Sequence, residues 1–495
     1  MAKTFMQFDF SLNKPRSARR VDEDDVFRIL LLADLGSHTA ARVPLAQRKP
    51  LRVDIDNFDA VFARVAPRLE LTLDGVAVDL EFHEMDDFHP DQLFARMASF
   101  VALRELRAKL ADPAQFRAAA AALTAAPATS GPAAAPTDAD EGSDMERLLG
   151  RKPVARPIAV ASTADLSIDG WLRGVVAPHV VQDSAVEQAH LIAAVDSAIT
   201  IEMRRVLHHP AFQALEANWR GIERLVRELD LGETLELLLL DVRRDELAQD
   251  FSAHADNLSR SALHRHLCGP HTEPPDGQPW SLLASDLSFG ADLAELQLLA
   301  AMGAMAGRAG APLLAAARPS LIGCPGMAQL VDVKAWRPVD ADVATFWSAL
   351  RQSPLAAWIG LALPRILVRL PYGKASDPIS AFAFEEMASQ EHESYLWGSP
   401  AFSLALLAGQ AFMEAGWQMA LTSQDITDLP SHIYRDDGES RQQACAEVTL
   451  SESAGEAVLR HGTMALLSYR NRNAVRLLRW QSIADPARAL QAAWA

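Results

Sequence analysis

The sequence predicts a mixed α/β fold with α+β character, on three observations. Short apolar runs of strand character recur along the chain, among them FRILLLADL at 27–35 and TLELLLLDV at 234–242. Between several of them, apolar residues return every three or four positions, as in amphipathic helices. A stretch with almost nothing to bury, at 116–146, separates a short first part from a long second part. Strands interleaved with helices imply a sheet covered by helical layers.

At the N-terminus, Met6, Phe8, Phe10 and Leu12 alternate with polar residues, which predicts a half-buried strand. A basic arm, KPRSARR, and an acidic run, DEDD, follow it. A strand set apart by a charged arm has nothing local to pair with, so it is a candidate for adding to a sheet elsewhere; an edge strand of its own domain fits the pattern equally well. Residues 27–35 read as a buried strand. Asp56 or Asn57 then caps a helix that buries Phe58, Val61, Phe62 and Val65. VAVDLEF at 76–82 alternates as a strand, and Pro90 sits near the start of one long amphipathic helix reaching Leu110. This strand–helix–strand–helix unit, 27–110, is small for a domain. It is too small to bury its Phe, Leu and Val surface alone, so it is expected to interlock with the larger unit. The expected organisation is therefore a strand and arm at 1–26, the unit at 27–110, a mostly flexible Ala/Pro-rich linker at 111–165, and a larger mixed α/β domain at 166–495. In the last, helices are expected at 185–206 and 210–229, and strands at 234–242, 281–287, 312–316, 356–363 and 365–370.

One segment, VLHHPAFQALEANWRGIERLVREL at 206–229, has the residue types of an active-site strip. Its periodicity argues otherwise: Phe212, Leu215, Trp219, Ile222, Val226 and Leu229 form a single apolar stripe. Pro210 suits a first helical turn. His208 and His209 are neighbours at the helix start and diverge, whereas a helical metal pair needs i,i+4 spacing. The segment reads as architecture.

The chain has 495 residues, 49% hydrophobic and 22% charged, an ordinary globular balance. A net charge of −17 disfavours general nucleic-acid binding. Cys268, Cys324 and Cys445 lie far apart and suggest no disulfide framework. The N-terminus lacks a secretory apolar core, and the least polar run, at 298–317, is broken by Arg308 and three glycines. A cytoplasmic protein without membrane insertion is expected.

Catalytic patterns are scarce. His264, His266, Cys268 and His271 offer four possible ligands within HRHLCGPH and are the marginal metal candidates. LPYGKASDP at 370–378 lacks the first glycine of a phosphate loop and has Ala375 where a hydroxyl is required. HEMDDFHP at 83–90 fits helix capping. No catalytic residue, cofactor or resident metal is expected; a metal-dependent enzyme centred on 264–271 is the remote alternative.

Three stretches, LLLADLGS, RKPLRVDIDNFDAVFARVAPRLEL and LEFHEMDDFHPDQLFAR, resemble the small subunit of the type VI secretion contractile sheath. Three later ones, HHPAFQALEANWRGIERLV, LPRILVRLPYGKASDPISAFAFEE and YLWGSPAFSLALLAGQAF, resemble the large subunit of the same sheath. The resemblance covers most of 27–110 and 166–482 and implies a fusion of both subunits. It also implies a non-enzymatic role. In that family the two subunits interlock, stack into a tube around an inner tube, and contract. Strands near subunit termini link neighbouring protomers, which would give Met6, Phe8, Phe10 and Leu12 a partner. Carried over as structural are His208, His209, Pro210, Phe212, Trp219, Arg220, Pro371, Tyr372 and Gly373. The implied partners are other sheath protomers or subunits, with inner-tube or baseplate proteins beyond them. Large sheath subunits continue past the segment matching LLRWQSIADP, so a shortened large-subunit region is expected, and a non-polymerising adaptor, cap or regulator is the second reading.

Overall fold

The computed structural model describes residues 22–124 and 184–494, apart from 23, 37–41, 74, 270, 271, 273–276, 389, 390 and 423. The expected strand of Met6, Phe8, Phe10 and Leu12 and most of the expected linker lie outside the described residues.

FRILLLA forms β1 (Phe27–Ala33), and every one of its residues is buried. A strand inaccessible on both faces belongs inside a covered, largely parallel sheet. β1 pairs in parallel with β5 (Leu235–Asp241) on one side and with β6 (Leu282–Phe289) on the other. The expected interlocking thus takes a specific form: a strand from the first part of the chain lies between two strands from the second.

The remaining members of this sheet are β2 (Leu51–Val53), β7 (Leu313–Ala317), β8 (Ile359–Leu363), β11 (Asp425–Ile426), β14 (Met464–Ser468) and β15 (Val475–Leu477). Their order is β11-β15-β14-β8-β7-β6-β1-β5-β2, nine strands in all. The interior is parallel, while β2, β15 and β11 join antiparallel at the two ends. Three two-stranded pairs stand apart: β3 (Arg68–Leu73) with β4 (Val76–Glu81), β9 (Ile366–Leu367) with β10 (Trp397–Gly398), and β12 (His432–Asp436) with β13 (Glu439–Gln443).

Alternation sends successive side chains of each strand to opposite faces. Leu30, Leu32, Leu238, Leu240 and Leu283 join one core with the helices Arg244–Ala253, Ala262–Cys268, Leu293–Ala309 and Ala341–Gln352. On the other face, the Phe27 ring stacks on Phe412 of the helix Pro400–Ala415 at 4.7 Å. The least polar run of the sequence is the Leu293–Ala309 helix followed by β7. It is small-residue-rich because it touches the sheet closely: a Cβ on Gly303 would lie 2.3 Å from Ile359 Cδ1.

Two expectations are corrected. The single long helix from Pro90 is two helices, Pro90–Arg96 and Val101–Ala111, separated by an extended Met97 (φ −69, ψ 133) and a 3₁₀ turn. Met97 and Phe100 are both buried, so packing decides the backbone there over helix propensity. The strand-like runs at 356–363 and 365–370 shrink to Ile359–Leu363 and Ile366–Leu367. A 3₁₀ turn occupies Pro354–Trp358, and beyond Leu367 the chain delivers Arg369 to a buried charged cluster.

Compactness divides the chain into two units, Met1–Phe94 with Arg204–Ala495, and Ala95–Met203. The nine-stranded sheet is the heart of the first. In the second, Arg107 Nε donates to Asp196 Oδ1 at 2.6 Å and Gln188 Nε2 to Leu110 O at 2.7 Å. These bonds tie Val101–Ala111 to the long helix Ser184–Leu207.

Candidate functional site

The segment with the most chemistry-bearing residues folds as the helix Pro210–Glu228. His209 is its N-cap, and its Nδ1 accepts from the Ala211 amide at 3.2 Å; Pro210 fills the first turn. The stripe of Phe212, Trp219 and their neighbours is buried, with Trp219 0% exposed. What it buries against is the first part of the chain. The Trp219 ring lies 4.5 Å from Phe62 and 6.2 Å from Phe58, and its Nε1 donates to Leu35 O at 3.2 Å. Phe212 meets Phe82 and Phe88 edge-on at 6.0 and 5.7 Å. Gly36 adopts φ +73, and a Cβ there would fall 2.7 Å from Leu215 Cδ1, so the turn after β1 admits the helix only because that position is glycine.

Asn218 adds a polar clasp. Its Nδ2 donates to Asp34 O at 3.0 Å and to Asp286 Oδ2 at 2.9 Å, and Asp286 Oδ2 also accepts from the Asp34 amide at 3.0 Å. Asp34, just past the end of β1, and Asp241, the last residue of β5, thereby stand near Asp286 within β6. Burial pushes the Asp286 carboxyl up to about 6; the Asp34 amide and Asn218 oppose the rise, and the Asp34 charge adds to it. Asp241 is paired with Arg42 at 2.9 Å and accepts from the Leu35 amide at 3.0 Å.

The opposite flank of the same helix carries a buried charged cluster. Arg369 spans two carboxylates, with Nε 2.7 Å from Glu216 Oε1 and Nη1 2.7 Å from Glu386 Oε2. Its guanidinium lies 4.1 Å above the Tyr372 ring. Arg220 Nε donates to Glu216 Oε1 at 2.8 Å and its Nη2 to Tyr372 Oη at 3.0 Å; the Tyr372 amide donates to Glu386 Oε2 at 2.7 Å. His208 Nε2 stands 3.6 Å from Glu386 Oε1. Burial raises the Glu386 carboxyl, but Arg369, His208 and the Tyr372 amide outweigh it and hold it at about 2. Burial lowers the Arg369 guanidinium, and the Glu216 and Glu386 charges more than reverse this. Burial, with the Glu216 charge, pushes the Tyr372 phenol up. The carboxylates are saturated by guanidinium and amide donors, an arrangement that orients elements rather than poising a nucleophile.

The structure therefore brings His208, Arg220 and Tyr372 to one cluster, with Pro371 and Gly373 in the loop that carries Tyr372. A Cβ on Gly373 would lie 2.1 Å from Glu385 Oε2. Sequence reasoning missed Glu216, Arg369, Glu386, Asn218 and Asp286. Glu216 had a signal: it falls between Phe212 and Trp219 on the apolar stripe, where a carboxylate requires a buried partner.

His264, His266 and Cys268 lie on the helix Ala262–Cys268, and His271 lies outside the described residues. On a helix, i and i+2 face apart. His266 Nε2 is 2.7 Å from Leu45 O, and burial lowers its pKa. Among the described residues, no three His, Cys, Asp or Glu side chains gather as a metal site.

Two family models match the chain. The one described as EvpB/VC_A0108, tail sheath N-terminal domain (VipB) matches residues 189–484. The one described as Type VI secretion system, VipA, VC_A0107 or Hcp2 matches residues 20–121. Over 305 residues, 60% of this chain and 61% of the relative, there is 28% identity to the type VI secretion system sheath protein TssC1 of Pseudomonas aeruginosa. Over 90 residues, 17% of this chain and 52% of the relative, there is 33% identity to the sheath protein TssB1 of the same organism. The chain thus spans 61% and 52% of the lengths of these two relatives.

Proposed function

Since the chain belongs to the tail sheath family of EvpB/VC_A0108 and carries a VipA-type segment ahead of that region, we propose that it is a fused small/large structural subunit of a type VI secretion sheath. The observation that carries this reading is β1. The VipA-type segment supplies a central strand of the VipB-type sheet, and Trp219 and Asn218 clasp the turn that follows it. A body built in that way presents both subunits' surfaces in fixed register without needing a second chain. Its buried charged cluster organises the fold, so its role is that of a scaffold and not of a catalyst.

Assembly partners are other sheath protomers, joined in part through Met6, Phe8, Phe10 and Leu12, with inner-tube or baseplate proteins beyond them. Among the described residues no helix is long and apolar enough to cross a membrane. Negative-stain microscopy of the purified protein, alone and mixed with candidate sheath subunits, tests the proposal. Tubes, arcs or rings support it. Discrete particles in every mixture would replace it with the adaptor, cap or regulator reading.

A further inference from the structure

The nine-stranded sheet carries opposite charge at its two ends. At the β15 end, YRNRNAVRLLRW at 469–480 holds four arginines and no Asp or Glu, and Arg470, Arg472, Arg476 and Arg479 are all exposed. Only the two-residue β11 lies beyond β15 in the sheet order. Arg472 stands 3.6 Å from Asp425 and Arg479 3.9 Å from Glu456, and both arginine side chains are more than half exposed, so these pairs hold the guanidinium groups weakly. Arg476 meets the amide oxygen of Gln424 at 3.3 Å rather than a carboxylate. The β2 end is acidic. Residues 54–91, which follow β2 directly, hold eleven Asp and Glu against two Arg. Asp56, at the exit of β2, and Asp59, on the first turn of the helix Phe58–Val65, are exposed there. Glu84 and Asp86, also exposed, line one open hollow with Asp59.

We propose that copies of this chain join head to tail, the arginine edge at β15 of one copy lying on the acidic end beside β2 of the next. The inference rests on the reading that copies assemble, and it names one contact by which they do. Geometry favours a second copy as the occupant. Both ends belong to the same compact unit, seven strand spacings apart in the sheet order, roughly 34 Å, so no pair of side chains can join them within one molecule. The chain's other charged tracts already balance themselves in sequence. KPRSARRVDEDD at 14–25 has four charges of each sign, and DADEGSDMERLLGRKPVAR at 138–156 has five acids and four bases. Copies carrying −17 each repel, so association needs a local meeting of opposite charge, and these two ends offer it. Because the two surfaces differ, each copy keeps one of each free for the next, which builds rings or helical arrays rather than closed pairs.

The test sediments full-length chains in about 0.05 M salt, where surface charge is least screened. An edge variant carries Arg470→Glu, Arg472→Glu and Arg476→Glu; an end variant carries Asp56→Lys, Asp59→Lys and Asp86→Lys. Thermal unfolding checks that each folds, and where a reversal does not, the neutralising Arg→Gln or Asp→Asn version reads the same loss. Wild-type chains should associate, and at least about tenfold more weakly in about 0.5 M salt. Each variant alone presents like charge at both ends and should associate at least about tenfold more weakly than wild type. Mixed, the two reversal variants should recover association, because each then meets only opposite charge on the other. Wild-type association untouched by either reversal, or a mixture of folded reversal variants no better than each alone, would overturn the inference and leave the sheath reading to its microscopy. A wild-type chain that stays single would overturn it too, whatever mixtures with other sheath subunits show.

Discussion

Asp286 is a carboxyl kept from water next to Asp34, and Glu386 is one kept from water next to Arg369; the two therefore respond to acid in opposite ways. Asp286 titrates near 6 when folded, against an ordinary 3.8 when unfolded, so the folded state holds its proton longer. Between about pH 4 and 6 the unfolded chain has already released that proton, and the native state loses on the order of 2–3 kcal/mol as pH rises through this window. Asp286→Asn should remove that slope in chemical denaturation from pH 4 to 7; an unchanged slope would assign it to another group. Glu386, held at about 2 against an ordinary 4.5, contributes stability above that ordinary value and loses it as pH falls through 2. Trp219→Ala should cost about 3–5 kcal/mol by urea unfolding. His208→Ala with His209→Ala should cost about 1 kcal/mol, the value of a lost N-cap, and a larger loss from the histidine pair than from Trp219 would overturn their ranking. Trp219 was legible because its spacing from Phe212 and Ile222 marks a buried stripe. Asp286 was not, because a half-buried acid in LLASDLSF looks like any polar residue in a strand until Asn218, far along the chain, arrives to bond it.

Among the elements, the strands buried on both faces were the easiest to read. FRILLLA and LELLLLD leave no polar face for water, and a run of that kind can only be interior. The β12–β13 hairpin was passed over although it has a local signal. Asp437 and Gly438 form a two-residue loop with φ +48 and +84, the turn that Asp-Gly favours between antiparallel strands. Its flanks are polar and exposed, so no apolar run drew attention to it. Among the described residues its strands pair only with each other, and Ile433 is 67% exposed. Such an edge is suited to receive a strand with the alternation of Met6, Phe8, Phe10 and Leu12. Ile433→Lys should leave thermal unfolding of the dissociated protein unchanged and weaken assembly at least about tenfold by sedimentation. A drop in thermal stability with assembly intact would place Ile433 in its own chain's packing.

At the level of the whole molecule, composition and size already implied that the first part could not stand alone, since its Phe and Leu surface needed cover. Which strands would cover β1 was not legible, because pairing with β5 and β6 joins residues about two hundred and more positions apart and leaves no local trace. The family resemblance supplied what periodicity lacked. The most direct measurement cuts the covalent link and asks whether the fold still holds the pieces together. A protease site inserted between residues 125 and 183 and cleaved in the purified full-length protein should give two fragments that co-elute in native buffer, unfold in one transition, and separate only in denaturant. Fragments that part in native buffer and each remain folded would contradict the claim that one sheet is built from both halves of the chain.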